Sequence, residues 1–198
     1  MKKILVTQRV EKIKKLRENR DNLDIRMSKF LEKLSFLPIP VPNGIKNIKL
    51  FVNNLKPSGV VLSGGGDPRI KDQRRKTENY LVEYCLKNKI PIIGICRGAQ
   101  LLNIIFKGSI KKVKNHVNKK HQIFGELVKK KKIYVNSFHN FGLNEKILGK
   151  NLKIIAFSKD GNIECFIHKK FKIIGIMWHP ERNNKISKID SKLFKSLF

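Results

Sequence analysis

The segment Ile92-Ile93-Gly94-Ile95-Cys96-Arg97-Gly98-Ala99-Gln100-Leu101-Leu102 constrains the fold of this 198-residue chain more than any other. Its apolar run, Pro91–Ile95, reads as a buried strand that ends at Cys96, and Arg97–Phe106 continues as a helix. A cysteine on the turn between strand and helix, with glycine two residues before and two after, has the pattern of a nucleophile elbow with Cys in place of Ser. The turn is tight and strained, so side chains at the flanking positions would collide and glycine is favoured there. The helix that begins at once points free N–H groups and partial positive charge at the cysteine, which favours a thiolate and a neighbouring oxyanion.

The rest of the chain alternates short apolar runs with helical patterns, which predicts an α/β fold wound around a sheet. Ile4–Thr7 and Gly59–Leu62 read as strands. Asp24–Leu34 reads as a helix with Ile25, Phe30, Leu31 and Leu34 on one face, and Pro38, Pro40 and Pro42 suggest an extended edge segment. Asp72–Asn88 reads as an amphipathic helix carrying Tyr80, Leu81, Tyr84 and Cys85 on one side. Toward the C-terminus the rhythm changes: Ile133–Val135, Leu152–Ala156, Ile163–Ile167 and Ile173–Met177 are strand-sized, and Asp160-Gly161 and Lys169–Lys172 supply turns. Hairpins follow, so parallel strands at the front should give way to antiparallel ones at the back. No repeat or Pro/Gly/Ser-rich linker divides the chain, and one domain over residues 1–198 is expected.

Composition narrows the function classes. Hydrophobic residues at 40% with 12 Phe suffice for a core, so the chain should fold despite 30% charged residues. Apolar runs are too short for a membrane span or a signal peptide, and three widely spaced cysteines offer no disulfide framework; a cytoplasmic protein is expected. The net charge of +29 comes from 44 Lys plus Arg against 15 Asp plus Glu. Thirty-five of those cations are Lys spread along the whole chain in company with many Asn and Ile, as A/T-rich codons would encode. A taste for anionic partners is the alternative, and a nucleic-acid-binding module is a third reading that lacks interleaved aromatics; no specific nucleic acid is expected as partner. The densest run, Lys129–Lys132, reads as a solvated loop or hairpin.

A cysteine nucleophile needs a base, and the base needs an orienting group. His179 ends an apolar strand, is fixed by Pro180, and has Glu181 two residues on, on the same side of an extended segment. Cys85 and Cys165 read as core residues, and His116, His121 and His168 lie in Lys-rich, surface-like stretches. For the oxyanion, the N–H of Arg97 is one donor, and Gly66, then Gly65, in the loop Ser63-Gly64-Gly65-Gly66-Asp67-Pro68 are the best sources of a second. That loop alone would also suit a phosphate cradle, although it has no P-loop Lys-Ser/Thr. No His/Cys/Asp cluster shows metal-ligand spacing, so neither metal nor redox cofactor is expected.

GICRGAQLLN, WHPE near the C-terminus, SGGGDP and VNSFH together resemble the class I glutamine amidotransferase superfamily, and most of all its γ-glutamyl hydrolase branch. The resemblance spans Thr7 to Glu181. It implies a three-layer, flavodoxin-like sheet and a Cys96–His179–Glu181 triad that forms a γ-glutamyl thioester. It also implies that Gln100 and the segment Asn136-Ser137-Phe138-His139 grip the glutamyl α-amino and α-carboxylate groups, although Gln100, Ser137 and His139 would also serve structural roles. The chain lacks the insertions of larger members. Thr7-Gln8-Arg9-Val10 and the stretch from Arg20 to Arg26 are similar to small members linked to surface-sugar synthesis, which implies a γ-glutamyl amide of a nucleotide diphosphate as substrate. Arg9, Arg17, Arg20 and Arg26 would then hold a pyrophosphate, or else they are solvated helix charges. A γ-glutamyl-γ-aminobutyrate-type hydrolase, or a glutaminase that passes ammonia to a synthetase partner, is the alternative within the superfamily.

Overall fold

The computed structural model describes residues 1–129 and 131–198, so Lys130 of the Lys129–Lys132 run lies outside the described residues. Among them, nine strands join in one sheet. Its parallel half holds β1 (Lys2–Thr7), β4 (Phe36–Val41), β5 (Gly59–Leu62), β6 (Ile92–Ile95) and β13 (Ile173–Ile176), in the order β4-β1-β5-β6-β13. Beyond β13 the sheet turns antiparallel through β12 (Ile163–His168), β11 (Leu152–Ser158), β8 (Val117–Phe124) and β9 (Ile133–Phe138). This is the α/β, flavodoxin-like arrangement expected, with the antiparallel strands toward the C-terminus. A short separate ladder pairs β7 (Lys111–Lys112) with β10 (Phe141–Gly142).

Helices cover both faces of the parallel half. Helix α1 (Ile25–Lys33) and α5 (Lys188–Leu197) pack Met27, Phe30, Leu193 and Phe194 on the side of Ile4, Val61 and Ile95. On the other side α2 (Ile48–Leu55), α3 (Gln73–Asn88) and α4 (Arg97–Ile105) bury Val52, Leu81, Val82, Leu101 and Leu102 against Leu5, Val60 and Ile92. Each face is a few kcal/mol of burial per large apolar side chain, which is what holds the strand ends in fixed positions. The Pro-rich segment is the edge strand β4, whose prolines sit where a ladder partner is missing on one side.

Three local readings are corrected. Ile25 is 69% exposed, because it is the first residue of α1 and Met27 takes the inward position instead. After β1, β2 (Arg9–Ile13) and β3 (Glu18–Asn22) pair as an antiparallel hairpin, so Arg9 and Arg20 are strand residues, not helix charges. Helix α3 buries Arg74, Thr77 and Glu78 along with Leu81 and Cys85, whereas Tyr80 and Tyr84 are only half-buried. Cys85 and Cys165 are core residues as expected; burial pushes the Cys85 thiol up to about 12 and that of Cys165 well above its ordinary value.

Candidate active site

Cys96 closes the turn between β6 and α4 with φ at 50°, a left-handed value that costs a non-glycine residue about 1–3 kcal/mol. Its backbone is held by the N–H of Cys96 donating to the Ile176 carbonyl at 2.7 Å and by Gln100 N–H donating back to the Cys96 carbonyl at 3.0 Å. The two elbow glycines are required by close approach. A Cβ on Gly94 would stand 2.6 Å from the Gly98 backbone, and one on Gly98 would overlap the Leu62 carbonyl at the end of β5.

His179 follows β13, the strand beside β6, and so arrives next to Cys96 at the C-terminal edge of the parallel strands, where wound sheets gather their ligands. Its Nδ1 meets Glu181 Oε1 at 2.6 Å, which leaves Nε2 for the thiol. Burial alone would lower the His179 pKa, but hydrogen bonding to Cys96 and to Glu181 outweighs burial and raises it to about 9. Asn136 fixes the histidine's backbone from both sides, its Nδ2 donating to the His179 carbonyl at 2.7 Å and its Oδ1 accepting from the His179 N–H at 2.8 Å. Gly64 leaves room for the ring, since a Cβ there would lie 2.6 Å from His179 Cε1.

The loop from Ser63 to Gly66 forms the facing wall. Gly65 and Gly66 both have φ of 85°, which lets the loop turn back over the cysteine. Behind it sits an ion cluster that sequence reading missed. Arg74 donates to the carbonyls of Ser63 at 2.6 Å and Gly65 at 2.7 Å, and Glu78 binds Arg74 at 2.8 Å and Arg97 at 2.6 Å. Both arginines and the glutamate are buried. Arg74 thus holds the carbonyl side of the loop, and the Ser63 N–H is held by Thr7 Oγ1 at 3.0 Å. The Arg97 side chain is paired with Glu78, its Nη1 donating to Glu78 Oε2 at 2.6 Å.

Cys96, His179, Gly65, Gly66, Gln100, Phe138, His139 and Arg9 all line one cavity of about 330 Å³. Gln100 is anchored by its Nε2, which donates to the Phe141 carbonyl at 2.7 Å, and presents its carbonyl oxygen. Two expected residues are placed elsewhere. Ser137 is fully buried and its hydroxyl donates to the His116 carbonyl at 2.7 Å, because alternation along β9 turns it away from Phe138's side. Arg20 lies on the hairpin, 55% exposed and paired with Glu18 at 2.6 Å, outside the cavity. A different arginine, Arg182, lines the cavity instead, with its guanidinium 4.5 Å from the centre of the Phe138 ring. Its position directly after Glu181 was the available signal.

The histidines also differ from expectation. His116 and His168 are buried and His121 is half-buried, not surface-like. His168 Nδ1 accepts from the N–H groups of Lys170 and Phe171, closing the turn before β13. His116, His121 and Glu164 bring potential ligand atoms within 4.8 Å of one another, an assembly that sequence spacing did not show.

A strained cysteine at a helix start, facing a His–Glu pair on the neighbouring strand of a flavodoxin-like sheet, is equipped for acyl transfer from an amide to a thiol and then to water. The class I glutamine amidotransferase family profile matches residues 18–196, and the chain belongs to that family. It is 36% identical over 193 residues to the γ-glutamyl-CDP-amidate hydrolase of Campylobacter jejuni, covering 93% of this chain and 92% of that one. A carbamoyl phosphate synthase small chain from Saccharolobus solfataricus is 35% identical over 159 residues, 76% of this chain but 40% of its own length. Among solved structures, a glutamine amidotransferase from Thermotoga maritima superposes with a TM-score of 0.69 over 98% of this chain and 83% of that one, at 19% identity, which speaks for the fold. Among the described residues no helix is long and apolar enough to cross a membrane.

Proposed function

We propose that residues 1–198 act as one cysteine hydrolase that cleaves a γ-glutamyl amide carried by a nucleotide diphosphate: γ-glutamyl-CDP-amidate to glutamate and cytidine diphosphoramidate, in surface-polysaccharide synthesis. The observation that carries the reading is Cys96, held at a left-handed φ of 50° in a cavity with the His179–Glu181 pair. The Cys96 thiolate attacks the γ-carbonyl carbon, and the oxyanion formed is met by the N–H groups of Arg97 and Gly66, with Gly65 as the neighbouring donor. The His179 imidazolium then gives its proton to the leaving nitrogen, the C–N bond breaks and a thioester remains. Water, deprotonated by His179, attacks that thioester and releases glutamate with the free thiol. Gln100, Phe138 and His139 face the glutamyl half of the cavity.

Arg9 and Arg182 support an anionic leaving group, since both line the cavity and a guanidinium fork suits a diphosphate. Arg20, paired with Glu18 on the hairpin, is not needed. The similarity to the Campylobacter jejuni hydrolase along nearly the whole of both chains agrees with this choice. A parallel assay of γ-glutamyl-CDP-amidate, glutamine and γ-glutamyl-γ-aminobutyrate tests it. The nucleotide substrate is expected to lead by at least about a hundredfold in kcat/KM, roughly 2.7 kcal/mol, and Arg182→Ala to erase most of that lead. Equal rates would remove the nucleotide from the reading. The second reading, a glutaminase that feeds a synthetase, is favoured by the similarity to synthase small chains; it predicts weak glutamine hydrolysis that rises when a synthetase is added.

A further inference from the structure

Glu164 is a carboxylate with no exposed surface, and neither of its oxygens has a hydrogen-bond partner. Around it stand three imidazoles: His121 Nε2 lies 3.0 Å from Glu164 Oε1, His116 Nδ1 3.7 Å and His139 Nε2 3.7 Å. The outer nitrogens of two of these rings are already occupied. His116 Nε2 meets Asp160 Oδ2 at 2.8 Å, and His139 Nδ1 donates to the Phe141 carbonyl at 3.0 Å. Each of those bonds fixes the proton on the outer nitrogen, so the inner nitrogens present lone pairs toward the carboxylate. Lone pairs and an anion converge on one point, and a buried carboxylate left so would be costly. Of these residues the catalytic reading uses only His139, at the cavity wall.

We propose that His116, His121 and Glu164 bind a divalent zinc ion. The separations fit. Ligands about 2.0–2.1 Å from a tetrahedral zinc are roughly 3.4 Å apart; here His121 Nε2 and His116 Nδ1 lie 3.0 and 3.7 Å from Glu164 Oε1, and the three residues' ligand atoms all lie within 4.8 Å of one another. The chemistry fits as well: two imidazoles and one carboxylate are a zinc donor set, and the Asp160–His116 bond is an outer partner that holds a ligating histidine in place. Three protein ligands leave the fourth tetrahedral position open. The ion would tie His116 and β8 to β12, next to His139 in the cavity wall.

The test uses the untagged full-length chain in the Cys96→Ala background, which removes the thiol as a rival ligand. After stripping with chelator and reloading with zinc chloride, elemental analysis after dialysis is expected to find about one zinc per chain. Thermal melts should rise on zinc addition. Asp160→Asn, which alters the outer partner of His116 while its Oδ1 can still accept from Ser158, should weaken zinc affinity by about 10–100-fold, and His121→Gln, at a partly exposed ligand, should abolish stoichiometric binding while the far-ultraviolet circular dichroism stays unchanged. Less than about a tenth of an equivalent in the Cys96→Ala chain would overturn the site. So would an equivalent that survives in His121→Gln and His116→Gln, because that ion lies elsewhere.

Discussion

At the scale of single residues, His179 sets the pH behaviour. Its pKa of about 9 means that its imidazolium, which in the proposed mechanism protonates the leaving nitrogen, persists through neutral pH and is lost as pH rises through about 9. The kcat/KM profile should therefore fall on that alkaline side. Glu181 is one cause of the upward shift, so Glu181→Gln should move the fall to lower pH; an unmoved limb would assign it to another group. The linkage for stability has the same sign: a folded pKa raised above 6.5 contributes stability that is full below 6.5 and disappears through about 9. Gly64→Ala tests the space beside the ring. The added methyl forces the imidazole from its place, and a displacement on the order of 1 Å at a reacting group costs about a hundredfold in kcat. A variant with near-native kcat would show that the ring tolerates the shift.

Cys96 and His179 were legible because each is announced locally, by a glycine-flanked strand end and by an apolar run closed with Pro180. Arg182 was not. Its worth lies in stacking on Phe138, a contact between segments that no periodicity reports. Ser137 misled for a different reason: the VNSFH segment is a strand, and its pleat divides neighbours between the cavity and the protein interior.

At the scale of elements, α3 is the least expected. The amphipathic pattern singled out Tyr80, Leu81, Tyr84 and Cys85, yet Arg74 and Glu78 are also buried, against the loop that roofs the cavity. Glu78 holds two arginines, so its removal leaves two buried cations without an anion. Glu78→Ala is expected to cost about 3–5 kcal/mol, measured by urea unfolding with an unchanged m-value; a loss below about 1 kcal/mol would mean that Arg74 and Arg97 find other partners. The hairpin β2–β3 was illegible for a related reason. Its residues are polar on both sides, and its pairing carries Arg20 away from the site while leaving Arg9 against Gly65. The histidine cluster needed the β8–β9 pair to be brought close to β12, two strands from β8 in the sheet, and spacing along the chain carries no trace of that.

At the scale of the whole molecule, the division between a parallel half and an antiparallel half was readable from the change of rhythm after residue 130, because hairpin turns such as Asp160-Gly161 are local. The consequence is functional: the parallel half supplies Cys96, Gly66 and His179 from the ends of adjacent strands, and the antiparallel half supplies the wall with Phe138 and His139. The central claim is that this convergence makes Cys96 an acyl acceptor. It is tested most directly by incubating the enzyme with a γ-glutamyl amide, quenching in acid and mapping the acylated peptide by mass spectrometry. The account predicts a γ-glutamyl adduct on Cys96 that accumulates in His179→Asn only slowly and never forms in Cys96→Ala. An adduct on Cys85 or Cys165, or full turnover by the Cys96→Ala chain, would contradict it.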